Sequence, residues 1–212
     1  MMTRALFVAS LVASFSALAQ GKPLEDRKAI TYNEIERGFF FGVSGGFWGT
    51  INPPAGTGSA QYFSPGQAAL LEIGYDIGER VSPALFFLAT SNRMGADYTG
   101  TYRDPTAGGA VRSGDYGAIA PGIGARIRIV GLNDSQEVTR TWFYARAGAA
   151  FMLYQPTTLI NTPDVLIFAG PGLEYFTRLR HFSIGLDANF NFMALTQSVG
   201  FSVLPFVRYA GF

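Results

Sequence analysis

The chain has no cysteine and a single histidine, His181. Disulfide stapling and lipid attachment through a cysteine are therefore excluded, and one histidine without cysteine cannot build a zinc site. Charged residues make up 15% of the 212 residues and the formal net charge is +1. This balance gives no electrostatic bias toward nucleic acid. The composition predicts no cofactor, no metal and no nucleic-acid partner.

The chain also lacks long apolar runs. No window of eighteen apolar residues occurs, so membrane-spanning helices are excluded. Residues 1–19 have a basic start at Arg4, an apolar run over residues 5–13 and the small-residue ending Ala-Leu-Ala. These features predict a secretory signal peptide that is cleaved before Gln20. The remaining chain of about 190 residues fits one domain.

Hydrophobic and polar residues alternate without interruption over residues 181–192. The odd positions are polar or small: His181, Ser183, Gly185, Asp187, Asn189 and Asn191. The even positions are oily: Phe182, Ile184, Leu186, Ala188, Phe190 and Phe192. A period of two predicts a β-strand with two different faces. One face suits hydrocarbon and the other suits a polar interior, as in a transmembrane β-barrel.

The same alternation resumes at Val199 and runs to Tyr209, and the sequence given ends on Phe212. In this the chain resembles bacterial outer-membrane β-barrels, which end in an amphipathic strand with a terminal aromatic residue. The resemblance implies that Tyr209 and Phe212 form the signal read by the barrel-insertion machinery. The chain departs from the family pattern two positions before Phe212, where the family usually has an apolar residue and this chain has only the small side chain of Ala210. A bulge at Gly211 would return Phe212 to the face of Tyr209.

Six further segments carry strand patterns, which gives eight strands in all. They are predicted at residues 39–47, 67–77, 84–91, 115–129, 141–154 and 165–176. Both faces of the third are apolar, so its register is not assigned. Short turns at 78–83, 131–135 and 177–180 alternate with longer connections at 51–66, 92–114 and 155–164, and a short one at 193–198. The pattern predicts an all-β, antiparallel up-and-down transmembrane barrel over residues 38–212, with both termini periplasmic.

Outward aromatic residues are predicted to form two girdles, as expected at the two membrane interfaces. The periplasmic girdle comprises Phe39, Tyr75, Phe143, Tyr175, Phe182 and Tyr209. The opposite girdle comprises Phe47, Phe151, Phe192 and Phe201. We therefore expect outer-membrane lipid to surround the barrel.

Four acids and four arginines are predicted to point into the lumen. They are Glu72, Asp76, Glu174 and Asp187, and Arg126, Arg128, Arg146 and Arg208. The interior of an eight-stranded barrel is just wide enough for side chains to fill, so these groups should pair and close the lumen. We expect Glu72, Arg126, Arg146 and Glu174 at the centre, and Asp76, Arg128 and Arg208 at the rim.

Catalytic interpretations find little support in the sequence. Outer-membrane lipid-modifying enzymes of similar size use a histidine with a serine and an acid near the outer rim, whereas His181 starts strand seven at the periplasmic end. Calcium at Asp97, Asp104 and Asp115 is supported by no ligand spacing. We therefore predict no catalytic residues. A narrow solute channel, which needs the inward charges to line water, remains the alternative.

Residues 38–212 resemble the small outer-membrane barrels of the OmpA/OmpX type. Residues 32–49, YNEIERGFFFGVSGGFWG, also resemble the CglE-type adventurous gliding motility proteins of myxobacteria. The resemblance implies a non-catalytic anchoring, adhesion or assembly component of the gliding machinery. Its partners would be periplasmic or outer-membrane proteins of a motility complex. Residues 20–37 carry many charges and few large apolar groups, which predicts a periplasmic lead-in.

Overall fold

A computed structural model describes residues 35–51, 63–93, 116–155 and 163–211. The predicted signal peptide, most of the lead-in and Phe212 lie outside these residues. The described residues form eight antiparallel strands that close into a barrel in sequence order, with β1 paired to both β2 and β8. The predicted fold class is confirmed.

The strands have these bounds: β1 Phe39–Ile51, β2 Phe63–Tyr75, β3 Val81–Asn92, β4 Tyr116–Asn133, β5 Thr139–Gln155, β6 Asp164–Phe176, β7 Phe182–Met193 and β8 Ser198–Ala210. We call the end of the barrel with connections 76–80, 134–138 and 177–181 the turn end. The opposite end, with connections 52–62, 93–115, 156–163 and 194–197, is the loop end. No helix among the described residues is both long and apolar enough to cross a membrane.

Alternate residues of each strand face outward, and these are apolar along most of the barrel. All ten residues of the two predicted aromatic girdles are exposed, and pairs such as Phe39 with Tyr75 and Phe182 with Tyr209 lie at the turn end. The structure also sets the register of β3, which sends Leu85 outward. Its inward residues Phe86 and Leu88 are also apolar, because they face an apolar part of the lumen.

Several strands are longer than the sequence predicted. β2 begins at Phe63 rather than Gln67, because the ring of Phe63 stacks outside the barrel with Phe201 at a centroid distance of 5.8 Å. β3 begins at Val81 rather than Ala84. β2, in contrast, ends two residues earlier than predicted, at Tyr75 rather than Ile77. β4 continues to Asn133 and β5 begins at Thr139, and these strands remain paired beyond a bulge between Arg128 and Val130.

Five strands carry an outward proline: Pro65, Pro83, Pro121, Pro171 and Pro205. The pairing between β6 and β7 skips from Ala169 to Gly172, and that between β1 and β8 skips from Ser44 to Phe47. Pro171 and Pro205 lie at these two interruptions. Because proline has no backbone N–H, it cannot donate to a neighbouring strand. Closure therefore rests on ladders that are locally incomplete.

Candidate functional site

The structure places all eight predicted lumen charges inside the barrel, and none is more than 4% exposed. They come from β2, β4, β5, β6, β7 and β8 and from Asp76 immediately after β2. Alternation along the strands accounts for this, because residues two apart, such as Arg126 and Arg128, share a face. The eight groups divide into two clusters of two acids and two arginines each.

The turn cluster comprises Asp76, Arg128, Glu174 and Arg208. Arg128 donates to Glu174 Oε2 from Nε at 3.0 Å and from Nη2 at 2.8 Å, and Arg208 Nη1 donates to Glu174 Oε1 at 3.3 Å. Asp76 accepts from Arg208 Nη2, and from Arg128 Nη1 at 3.4 Å. Each carboxylate thus pairs with both guanidinium groups, so the two negative and two positive charges of the turn cluster balance one another.

Two serines complete the turn cluster. Ser183 Oγ donates to Glu174 Oε1 at 2.7 Å, and Ser82 Oγ donates to Asp76 Oδ1. Both serines are buried on inward faces, at the start of β7 and of β3. The alternation placed Ser183 on the polar face of its strand and Ser82 lay in a predicted turn, but no signal in the sequence indicated their carboxylate partners.

The central cluster comprises Glu72, Arg126, Arg146 and Asp187. Arg126 Nη2 lies 2.7 Å from Glu72 Oε1 and 3.3 Å from Asp187 Oδ2. Arg146 donates to Glu72 Oε2 at 3.1 Å and to Asp187 Oδ2 at 2.5 Å. The Tyr144 hydroxyl also donates to Asp187. Arg126 and Arg146 are direct cross-strand partners, and like charges so placed repel unless acids lie between them.

This division corrects the depths expected from the sequence. Glu174 belongs to the turn cluster and not to the centre, while Asp187 belongs to the central cluster. Asp76, Arg128 and Arg208 do lie toward the rim but are removed from water, with side chains 0% exposed. Aromatic residues beneath them account for this burial, which counting along strands could not show.

Each lumen arginine also lies over a phenylalanine ring. The guanidinium carbons of Arg208 and Arg126 are 3.5 Å and 4.5 Å from the ring centroids of Phe40 and Phe206. Arg128 lies over Phe176 at 5.2 Å, and Arg146 over Phe168 at 5.4 Å. The planar guanidinium group suits such stacking. The rings therefore fill the lumen between the charges and exclude water from them.

From the central cluster to the loop end the lumen is mainly apolar, although buried polar residues such as Thr90, Asn92 and Asn191 also line it. Its buried residues include Trp48, Leu70, Phe86, Leu88, Ala118, Ala120, Met152, Leu166, Phe168, Met193 and Leu204. We call this part the apolar half and the two clusters together the ionic half. Phe86 and Phe168 meet edge to face at a centroid distance of 5.5 Å at the boundary. The sequence predicted paired charges in the lumen but not an apolar half beside them.

Residues just before β1 lie across the turn end. Arg37 is largely buried, with its guanidinium carbon 5.6 Å from the Phe176 ring centroid, and this burial lowers its pKa below the usual range. Glu36 bonds Arg180 Nε at 2.6 Å and His181 Nδ1 at 2.7 Å. The histidine therefore lies in a turn-end ion cluster, far from the loop end where a catalytic base was considered.

Tyr209, the described residue of the predicted insertion signal, faces outward. Tyr209 is exposed and contacts the Phe182 ring at a centroid distance of 5.2 Å. Ala210 is buried, so the alternation holds to the last residue of β8. The face on which Phe212 lies falls outside the described residues. Among the described residues there is also no group of three or more potential metal ligands.

No family model and no curated protein matches the chain. Neisserial surface protein A of Neisseria superposes with a TM-score of 0.59 at 11% identity, covering 84% of this chain and 100% of that one. Ail of Yersinia pestis superposes with a TM-score of 0.41 at 14% identity, covering 82% and 98%. The first likeness shows the fold, that of small eight-stranded outer-membrane β-barrels.

Proposed function

We propose that the chain is a non-catalytic barrel of the bacterial outer membrane that serves as a structural, anchoring or adhesion component of the cell envelope. Two features support the location: the shared fold and the apolar belt with an aromatic girdle at each end. Such a belt is stable in hydrocarbon, and a closed barrel leaves no unpaired strand edge there.

The filled lumen is the observation that carries the non-channel function. Every acid of the ionic half is bonded to two arginines, and the apolar half packs large side chains against one another. A hydrated ion has no path through either half. Interactions with other molecules are therefore left to the two ends of the barrel, of which the loop end carries the long connections.

Planar-bilayer recording tests whether the lumen is closed. The purified protein should give no discrete conductance steps, whereas a general porin inserted into the same bilayer should give them. The control variant Arg146→Glu places a third acid in the central cluster and should disturb its closure. Discrete openings of the unaltered protein that change in this variant would establish the narrow channel instead.

The position of His181 supports the absence of catalysis. Its Nδ1 lies 3.0 Å from the carbonyl oxygen of Ala210 and 2.7 Å from Glu36, so it is held in the turn end and cannot serve a nucleophile at the loop end. A strain lacking the gene should keep an unchanged outer-membrane lipid profile. A lost or altered lipid species, restored by the wild-type gene but not by His181→Ala, would establish an enzyme.

The orientation proposed places the turn end in the periplasm and the loop end outside the cell. The chain has no cysteine, so single-cysteine variants report position directly. Leu195 at the loop end and Leu179 at the turn end are matched controls, with exposed fractions of 69% and 68%. A membrane-impermeant maleimide should label Leu195→Cys in intact cells and Leu179→Cys only after permeabilisation. The reverse pattern would invert the orientation.

The finer form of the proposal is a role in gliding motility. It rests on the resemblance of residues 32–49 to the CglE-type gliding proteins, which implies periplasmic or outer-membrane partners in a motility complex. Deletion of the gene should reduce adventurous gliding and leave solute uptake unchanged. Pull-down of the tagged protein from cross-linked membranes should recover gliding components. Wild-type gliding in the deletion strain would remove this form and leave the barrel proposal intact.

A further inference from the structure

The lumen has a polar stripe within its apolar half. Asn189 and Asn191 on β7 point inward two residues apart, and Ser202 on β8 is the cross-strand partner of Asn189. All three side chains are buried, with relative exposures of 5%, 1% and 2%. The residues around this stripe include Leu70, Phe86 and Phe168, whose side chains offer no hydrogen bond.

One polar atom of each of these side chains has no hydrogen-bond partner among the described residues. They are Asn189 Oδ1, Asn191 Nδ2 and Ser202 Oγ. Buried polar groups are almost always satisfied by protein or by ordered water, because burying them unsatisfied is unfavourable. Three such atoms on adjacent strands point to a common polar ligand.

The three side chains line one cavity. Trp48, Leu70, Phe86, Leu88, Arg146, Leu166, Phe168 and Leu204 line the rest of it. Its volume is about 10 Å³, which is near the minimum for one water molecule and too small for any organic ligand. An internal water needs two to four polar partners, and Asn189, Asn191 and Ser202 supply three.

We propose that Asn189, Asn191 and Ser202 bind a single ordered water molecule at the boundary between the apolar half and the central cluster. The water accepts a hydrogen bond from Asn191 Nδ2 and donates one to Asn189 Oδ1. The water makes a third hydrogen bond to Ser202 Oγ, which can either accept it or donate it. The apolar walls retain this molecule, and the cavity size excludes ions with their hydration shells. The site does not depend on the function proposed above.

A crystal structure of the lipid-embedded protein, at a resolution that shows ordered water, tests the site. One density peak within about 3.2 Å of at least two of the three atoms is expected. Ser202→Val fills the space and should abolish that peak. Ser44→Val is the matched control, because Ser44 Oγ is also buried without a partner but does not line the cavity. This control should keep the peak.

Other results would overturn the water site. A cavity without density in the unaltered protein, or Asn189, Asn191 and Ser202 bonded to one another, would remove it. A peak that persists unchanged in Ser202→Val would show that the water belongs elsewhere. If Ser202→Val fails to refold, as judged by heat-modifiable migration on gels, the density of the unaltered protein decides alone.

Discussion

The ionic half and the apolar half of the lumen are built by the same eight strands, yet they close the barrel by different physics. In the ionic half, four acids and four arginines form ion pairs at distances such as 2.8 Å between Arg128 and Glu174. In the apolar half, side chains such as Met152 and Leu204 fill the space by contact alone. Removal of one group therefore has different consequences in the two halves.

The difference follows from what remains after a deletion. A missing arginine leaves two buried carboxylates with one guanidinium partner each instead of two. The surrounding rings prevent water from replacing the missing group. A missing apolar side chain leaves a cavity whose walls lose dispersion contacts. The first effect concerns charge and is shared within a cluster, whereas the second is confined to neighbouring side chains.

The largest expected effect is that of Arg146→Ala. Glu72 and Asp187 each lose one of their two arginines, which should lower the free energy of unfolding by about 3–5 kcal/mol. Urea unfolding of the protein refolded into lipid vesicles measures this change. Arg178→Ala, at an exposed turn-end position, should change it by less than about 0.5 kcal/mol. Equal effects of the two variants would contradict the closed ionic half.

Met152→Ala probes the apolar half. Met152 is 1% exposed inside the lumen, so its truncation should lower the free energy of unfolding by about 2–5 kcal/mol. Its neighbour Phe151 points outward and is 57% exposed, and lipid can occupy the space left by Phe151→Ala. The same urea titration should therefore show a smaller loss for Phe151→Ala. A larger loss for the outward residue would mean that the apolar half is loosely packed.

Double variants sharpen the comparison by testing whether charge effects are shared within a cluster. Arg146 and Asp187 are bonded at 2.5 Å, so Arg146→Ala and Asp187→Ala should be non-additive, with a coupling of about 0.5–3 kcal/mol. Arg146→Ala and Asp76→Ala lie in different clusters and should add within about 0.5 kcal/mol. Strong coupling between clusters would show that the ionic half is a single network.

The smallest expected effect is that of Asp134→Asn, which removes a carboxylate at the protein surface. Asp134, in a turn, accepts hydrogen bonds from the backbone N–H of Gln136 at 2.8 Å and from Arg140 Nε at 2.8 Å, and these lower its pKa. A lowered folded-state pKa stabilises the protein above the unfolded value of about 3.9, and this stabilisation is lost as the pH falls through the folded value. The difference between unfolding midpoints of wild type and Asp134→Asn should therefore shrink between pH 6 and pH 3.

A persistent difference at pH 3 would contradict this assignment. Asp134 lies in a surface turn and its side chain is partly exposed to solvent, so the effect should also weaken in high salt. The buried acids of the ionic half should be far less sensitive to salt, because water and its ions are excluded from them.

The sequence was sufficient to predict the strands and their inward charges, because alternation is a local property of the chain. Asp187 illustrates this, since its neighbours Leu186 and Ala188 are apolar and its side chain is buried. Partner choice was not predictable, because it depends on which strands face each other across the lumen. Glu174 was expected at the centre and lies in the turn cluster for this reason.

The apolar half escaped prediction for a related physical reason. Two apolar faces on β3 were compatible with several registers, since lipid and an apolar lumen attract the same residues. Trp48 likewise gave no signal, although its buried indole Nε1 donates to Thr50 Oγ1 at 3.2 Å. A signal was present in the pairing of Phe86 and Leu88 on β3 with small residues on β4, but it can be read only once the register is known.

The pairing of β1 with β8 has a consequence for the order of folding. Phe41 and Tyr209 meet across this ladder although most of the chain separates them in sequence. Contacts between residues so far apart in sequence form late, because the entropy of closing a long loop is lost before the contacts can stabilise the fold. The edge of β1 that pairs with β8 therefore stays unpaired until the last strand has formed. An assembly factor that covers this edge until then would speed closure of the barrel.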